Sequence, residues 1–231
     1  MDLTEDLYSK AKEPLCKVAK WDDEYRKAKP KVLFILKEPS TRNNDPDYNF
    51  QRGLEDENWK QLRMWKLIAY CSEGLQALGR GEEPRFQKKK PEECKKLLRY
   101  SSYMNLKRFG AGTSSDMGLV GLHAGLFWPL MLSEIREIKP QIIVCCATYS
   151  ILKELLACLN KLPAYTKALG YPACGTLERD ADNGRCVFWN CEAAGQKMAV
   201  INMAHPARKN HKEYFDELME LASKVWCQIE S

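Results

Sequence analysis

The segment Val32-Leu-Phe-Ile-Leu36 is apolar at every position and is bracketed by Lys31 and Lys37. A strand with one wet face alternates apolar and polar residues, so an unbroken apolar run predicts a strand covered on both faces, as in a parallel sheet between helices. Pro39 then turns the chain out of the strand. Ala199-Val-Ile-Asn-Met-Ala-His-Pro-Ala-Arg208 repeats this design far along the chain. Pro140-Gln-Ile-Ile-Val-Cys-Cys-Ala147 gives a further strand ending near Thr148, and Tyr100-Ser-Ser-Tyr-Met-Asn-Leu106 a less apolar one with Asn105 at its end. In open α/β sheets the ligand crevice lies beyond the carboxyl ends of the strands. Four strand ends there would offer the carboxylate of Glu38, the amide of Asn105, a hydroxyl near Thr148 and the imidazole of His205.

The segments between these runs read as helices. Spaced apolar positions predict one or two surface helices over about 3–29, then helices over about 59–78, 117–138, 149–160 and 212–228, with Ser114, Ser115 or Asp116 capping the third. Residues 185–190 and 197–202 read as a hairpin or neighbouring strands. The polar stretch from Ser40 to about Glu57 is long for a loop in a compact domain, and such loops often carry function.

With 231 residues, 45% of them hydrophobic, the chain can bury one substantial core, and residues 1–231 are expected to form a single domain. A net charge of +5, from 36 basic and 31 acidic residues, permits an anionic partner without being a polybasic signature. No apolar run nears the roughly 18 residues of a membrane span, and Met1-Asp-Leu-Thr-Glu-Asp6 is unlike a signal peptide, so a soluble, cytoplasmic protein is expected. The ten cysteines include no Cys-x-x-Cys pair. Reduced, largely buried thiols are expected; Cys174, Cys186 and Cys191 form the only loose cluster, and no metal or other cofactor is called for.

Three motifs in order bring a family into view. Leu36-Lys-Glu-Pro-Ser40, Met104-Asn-Leu106 and Ala204-His-Pro-Ala-Arg208 resemble the water-positioning, asparagine and late histidine motifs of the uracil-DNA glycosylase superfamily. The order and approximate spacing match over about 170 residues. Leu36 stands where glycine is usual, Ser40 where tyrosine or glycine is usual, and Ala207 in place of serine, and the cysteines lack the spacing of the iron–sulfur members. The chain thus looks like a divergent member without a cluster. The resemblance implies a three-layer α/β/α fold with a central four-stranded, mainly parallel sheet.

It also implies the chemistry. Breaking a base–sugar bond places positive charge on the sugar and negative charge on the leaving base. Glu38 would position a water and offset the sugar's charge, while His205 would donate a hydrogen bond to the base oxygen. Asn105 would read the base's Watson–Crick edge, with Phe50 or Tyr48 stacked on the flipped ring. Ser40 leaves room at the base's C5, admitting a C5-modified pyrimidine such as a bulky modified cytosine of phage DNA. Lys37, Lys107, Arg108, Arg208 and Lys209 would contact the DNA, Lys107 and Arg108 holding the backbone near Asn105.

The expected function is therefore that of a monomeric, monofunctional DNA glycosylase acting on single- or double-stranded DNA in base excision, in repair or antiviral defence. Lys37 beside Glu38 reads as an ion pair rather than a Schiff-base lysine, so hydrolysis without a lyase step is expected. The competing readings are a non-catalytic nucleic-acid-binding protein of the same fold and an N-glycosidase acting on free nucleosides or nucleotides.

Overall fold

The computed structural model describes residues 19–20, 22–37, 63–108, 116–161, 176–179, 185–191, 196–207 and 209–230. They form a six-stranded sheet of order β2-β1-β3-β6-β5-β4. Its strands are β1 (Val32–Leu36), β2 (Ser101–Asn105), β3 (Ile142–Cys146), β4 (Thr176–Arg179), β5 (Cys186–Cys191) and β6 (Gln196–Met203). The helices are α1 (Asp22–Lys27), α2 (Arg63–Gly79), α3 (Pro91–Leu98), α4 (Met117–Leu126), α5 (Trp128–Ile138), α6 (Tyr149–Asn160) and α7 (His211–Glu230).

The apolar runs behave as their composition requires. All five residues of β1, β2 and β3 are buried. Because side chains alternate across a strand, each run feeds two cores. Val32, Phe34, Leu36, Ile142, Val144, Cys146, Ile201 and Met203 pack against α2, α3 and α7. Leu33, Ile35, Ile143, Cys145, Met198 and Val200 face α4, α5 and α6. Helices thus cover both faces, in three layers. Each fully buried aliphatic or aromatic side chain in such a core contributes about 1.5–3 kcal/mol.

The sheet is larger than the four strands expected. Its parallel part, β2-β1-β3-β6, consists of the four runs found in the sequence, with registers Leu36↔Asn105, Val32↔Ile142 and Cys146↔Met203. Beyond β6 the sheet turns antiparallel: β5 pairs with β6 as the neighbouring strands at 185–190 and 197–202 foreshadowed, and β4 adds an outer strand.

The expected helix over 117–138 is two helices, bent by 73° about Phe127. Pro129 enforces the break, since it has no N–H to donate and its ring crowds the carbonyl of Gly125. Asp116 caps α4, its carboxylate accepting the Gly118 and Leu119 amides at 2.8 and 3.2 Å. The segment before β2, to which the sequence reading assigns no helix, contains α3, which begins with Pro91 and has Glu92 and Glu93 in its first turn and Lys95 and Lys96 in its last. Proline at the first position and charges opposed to the helix dipole favour a helix there. The Glu93 carboxylate also accepts the Lys90 amide at 2.9 Å.

Gln76 on α2 fixes the entry to β1, accepting the Lys29 amide at 2.9 Å and donating to the Pro30 carbonyl at 3.0 Å. A Cβ on Gly79 would stand 1.7 Å from the Lys29 carbonyl oxygen, so only glycine lets α2 end against this entry. The opposite end of α2, at Arg63, therefore lies toward the carboxyl ends of the parallel strands.

Candidate functional site

The carboxyl ends of the four parallel strands share one edge. Past Leu36, the Leu36 carbonyl accepts the Leu106 amide at 3.0 Å and the Lys37 carbonyl accepts the Lys107 amide at 2.8 Å. The pairing of β1 with β2 thus continues beyond Asn105, setting Lys37 beside Lys107. On the other side the Ala147 amide donates to the Met203 carbonyl at 2.7 Å. Ala147 has φ of 58°, a left-handed conformation rare for a residue with a Cβ. It turns the chain so that Thr148, fully buried, donates its hydroxyl to the Ile35 carbonyl at 3.0 Å. The hydroxyl expected near this strand end thus ties β3 to β1.

His205 follows β6 by two residues and is half-buried. Its Nδ1 accepts the Ala207 amide at 3.2 Å, so the neutral ring carries its proton on Nε2 and offers that N–H as a donor. Burial, and then the nearby Lys37 ammonium, hold the imidazole below its ordinary range. The ring is therefore neutral at neutral pH. The same Lys37 effect joins the first and last motifs at one rim.

Tyr214 steadies this turn from α7. Its hydroxyl donates to the Ala204 carbonyl at 3.1 Å and lies 3.8 Å from the Cys146 sulfur. Burial pushes the phenol well above its usual range, so it remains a donor. Asn210 begins α7, its side-chain oxygen accepting the Lys212 amide at 3.0 Å. Arg63 of α2 reaches across to donate to the Lys209 carbonyl at 3.0 Å. Neither Tyr214 nor Arg63 stood out in the sequence: Arg63 finds its partner 146 positions away, and Tyr214 reads as one more apolar position of an amphipathic helix.

Asn105 ends β2 as expected, but it is 1% exposed, buried at the strand end. Its strand and that of His205 are three steps apart across the sheet, about 14 Å at the usual strand spacing. Lys37 sits between them at the end of β1, half-buried, as Lys107 is at the end of β2. Lys209 is exposed on the far side, beside α7. Glu38, Ser40, Tyr48, Phe50 and Arg208 lie outside the described residues.

The expectation for Arg108 is overturned. Instead of presenting a cation to DNA, its side chain is fully buried and its guanidinium pairs with Glu134 of α5, with Nη1 to Oε1 at 3.4 Å and Nη2 bonded to Oε2. It anchors the segment that follows Asn105. The loose cysteine cluster also comes apart: Cys186 packs toward α2 and α7, Cys191 toward the opposite layer, so one ion cannot take both, and Cys174 lies outside the described residues. Among the described residues no group of three His, Cys, Asp or Glu side chains is placed to hold a metal ion.

A titration tests the electrostatics of this rim. Followed by NMR, the His205 ring protons are expected to titrate with a midpoint below the ordinary value of about 6.5. In Lys37→Met the midpoint should rise part of the way back, because burial, the larger cause, remains. A midpoint at or above the ordinary value would remove the neutral donor.

No protein-family profile matches the chain, and no curated protein matches it.

Proposed function

We propose that the protein is a monofunctional DNA glycosylase that hydrolyses the N-glycosidic bond of uracil or a C5-modified pyrimidine, leaving an abasic site. The observation that carries this reading is His205: a neutral imidazole with Nε2–H to donate, at the rim it shares with Lys37 and, three strands away, Asn105. A neutral donor suits a leaving base that becomes anionic, because it strengthens its hydrogen bond as charge develops without a proton having to be removed first. Glu38, next to Lys37, supplies the carboxylate. It orients a water toward the anomeric carbon and takes that water's proton as the C–O bond forms, while the C–N bond breaks and the electron pair leaves with the base.

Asn105 would then read the base edge from the end of β2, and Phe50 or Tyr48 would lie against the ring. Ser40 in place of a bulky tyrosine favours a substrate with a group on C5. One observation favours a second reading, a nucleic-acid binder without catalysis: Leu36, where the resembling family has glycine, is buried in the core, which removes a site of close backbone approach to DNA.

The deciding experiment incubates the protein with labelled single- and double-stranded oligonucleotides carrying uracil, thymine, hydroxymethylcytosine or glucosylated hydroxymethylcytosine, followed by alkali. Strand breaks at one of these bases, lost in Glu38→Gln, are the expected result, and the cleaved base identifies the substrate. Binding without breaks on any base would replace the glycosylase with the binder, and release of base from free nucleosides alone would replace it with a nucleosidase.

A further inference from the structure

We propose that Arg63, Lys66, Lys88 and Lys209, gathered around His211, form a phosphate-binding ridge that holds the nucleic-acid strand whose base enters the site. The ridge lies on the seam between α2 and α7. Arg63 donates from Nε to His211 Nε2 at 3.2 Å and from Nη2 to the Lys209 carbonyl at 3.0 Å. These bonds fix the guanidinium without neutralising it.

The chain before α3 is locked onto the same seam by aromatic packing. Phe86 makes edge contacts with Tyr70 of α2 at 5.4 Å and Phe215 of α7 at 5.7 Å, while Tyr70 also contacts His211 at 5.7 Å. Lys88 follows two residues later and is exposed. Burial first, then Arg63, Lys88 and Lys66, hold the His211 imidazole below its ordinary range, so all three cations bear on this ring.

Among the described residues Arg63, Lys66, Lys88 and Lys209 form no ion pair, and the neighbouring Glu73 is taken by Lys89 at 2.8 Å, while Glu213 accepts from the side-chain amide of Asn210 at 3.2 Å. Such clustering of cations destabilises a folded chain unless an anion offsets it. The placement indicates which anion. His211 follows His205 by six residues, and Tyr214 binds the Ala204 carbonyl, so the ridge continues the rim of the candidate site. A strand with its base at that rim would lay its neighbouring phosphates here. The inference rests on the proposed function in taking a nucleic-acid strand as the ligand, and goes beyond it in assigning the residues of the grip.

The test measures affinity for a fluorescein-labelled thymidine oligonucleotide by anisotropy across a salt series, alongside the excision assay. Lys66→Gln with Lys88→Gln should lower the slope of log affinity against log salt by about 1.4, since each lost single-strand contact removes about 0.7. Lys153→Gln, an exposed lysine on α6 in the opposite layer, should leave the slope unchanged. Matching thermal melts would show that the variants fold. An unchanged slope in the double variant, or wild-type affinity indifferent to salt, would overturn the ridge. A lowered slope with no abasic product on any base would leave the ridge standing and sink the glycosylase reading; intact excision with an unchanged slope would do the reverse.

Discussion

Replacing Glu134 by Gln is expected to cost about 3–5 kcal/mol of folding stability, because it leaves the Arg108 guanidinium buried without its counter-charge. The Arg108 side chain is fully shielded and that of Glu134 is 9% exposed, so water cannot easily take the place of the lost carboxylate. Urea unfolding would read the effect as a lowered midpoint at unchanged slope. The double variant Arg108→Met/Glu134→Leu removes both charges and should recover most of the loss. A loss under about 1 kcal/mol in Glu134→Gln would mean that the pair behaves as a hydrated surface bridge. Because Arg108 lies three residues after Asn105 and anchors that segment to α5, the double variant should fold yet hold the end of β2 less firmly.

Under the proposed glycosylase function, replacing His205 by Ala is expected to slow single-turnover base release by about 10²–10³-fold, the usual cost of removing one donor to a developing anion. Stability should change little, because the imidazole is only half-buried and its one described hydrogen bond is to the Ala207 amide in an exposed turn. Oligonucleotide affinity should also change little, since the donor matters most once the bond begins to break. A rate within tenfold of wild type would reject His205 as the donor. Tyr214→Phe removes the bond to the Ala204 carbonyl and is expected to give a smaller fall in the same rate.

The parallel strands were legible because burial on both faces writes itself as consecutive apolar residues, as in Val32–Leu36 and Ile142–Cys146. The strand ends followed from the same runs, so the sequence places Asn105, a hydroxyl near Thr148 and His205 at one edge, as they lie in the structure. β4 was not legible: Thr176-Leu-Glu-Arg179 is four residues long, outermost in the sheet and polar at three positions. The break at Phe127 could have been read from Pro129, but the apolar composition on both sides of it masked the change of direction.

Arg108 was misread for a more general reason. Lys107-Arg108 reads as a basic surface pair, and nothing within the local sequence separates the two. The sign lay elsewhere, in Glu134, which falls on the same helical face as Leu130, Met131 and Ile138 of α5, all buried. A carboxylate on an apolar face implies a buried cation opposite it. Of the proposed ridge around His211, the sequence singles out Lys209 as a DNA contact; its grouping with Arg63, Lys66 and Lys88 was not legible because it draws on α2, the segment before α3 and the start of α7.

The single residue Ala19 has a bearing on how copies of the protein behave in concentrated solution. It exchanges both backbone hydrogen bonds with Tyr103, at 2.9 and 3.0 Å, on the outer side of β2. Open ladder positions on an edge strand invite pairing with a second chain and, from there, aggregation. Ala19 occupies such a position in the middle of β2, opposite Tyr103. The strand that ends in Asn105 is thus capped at its centre against templating its own polymer.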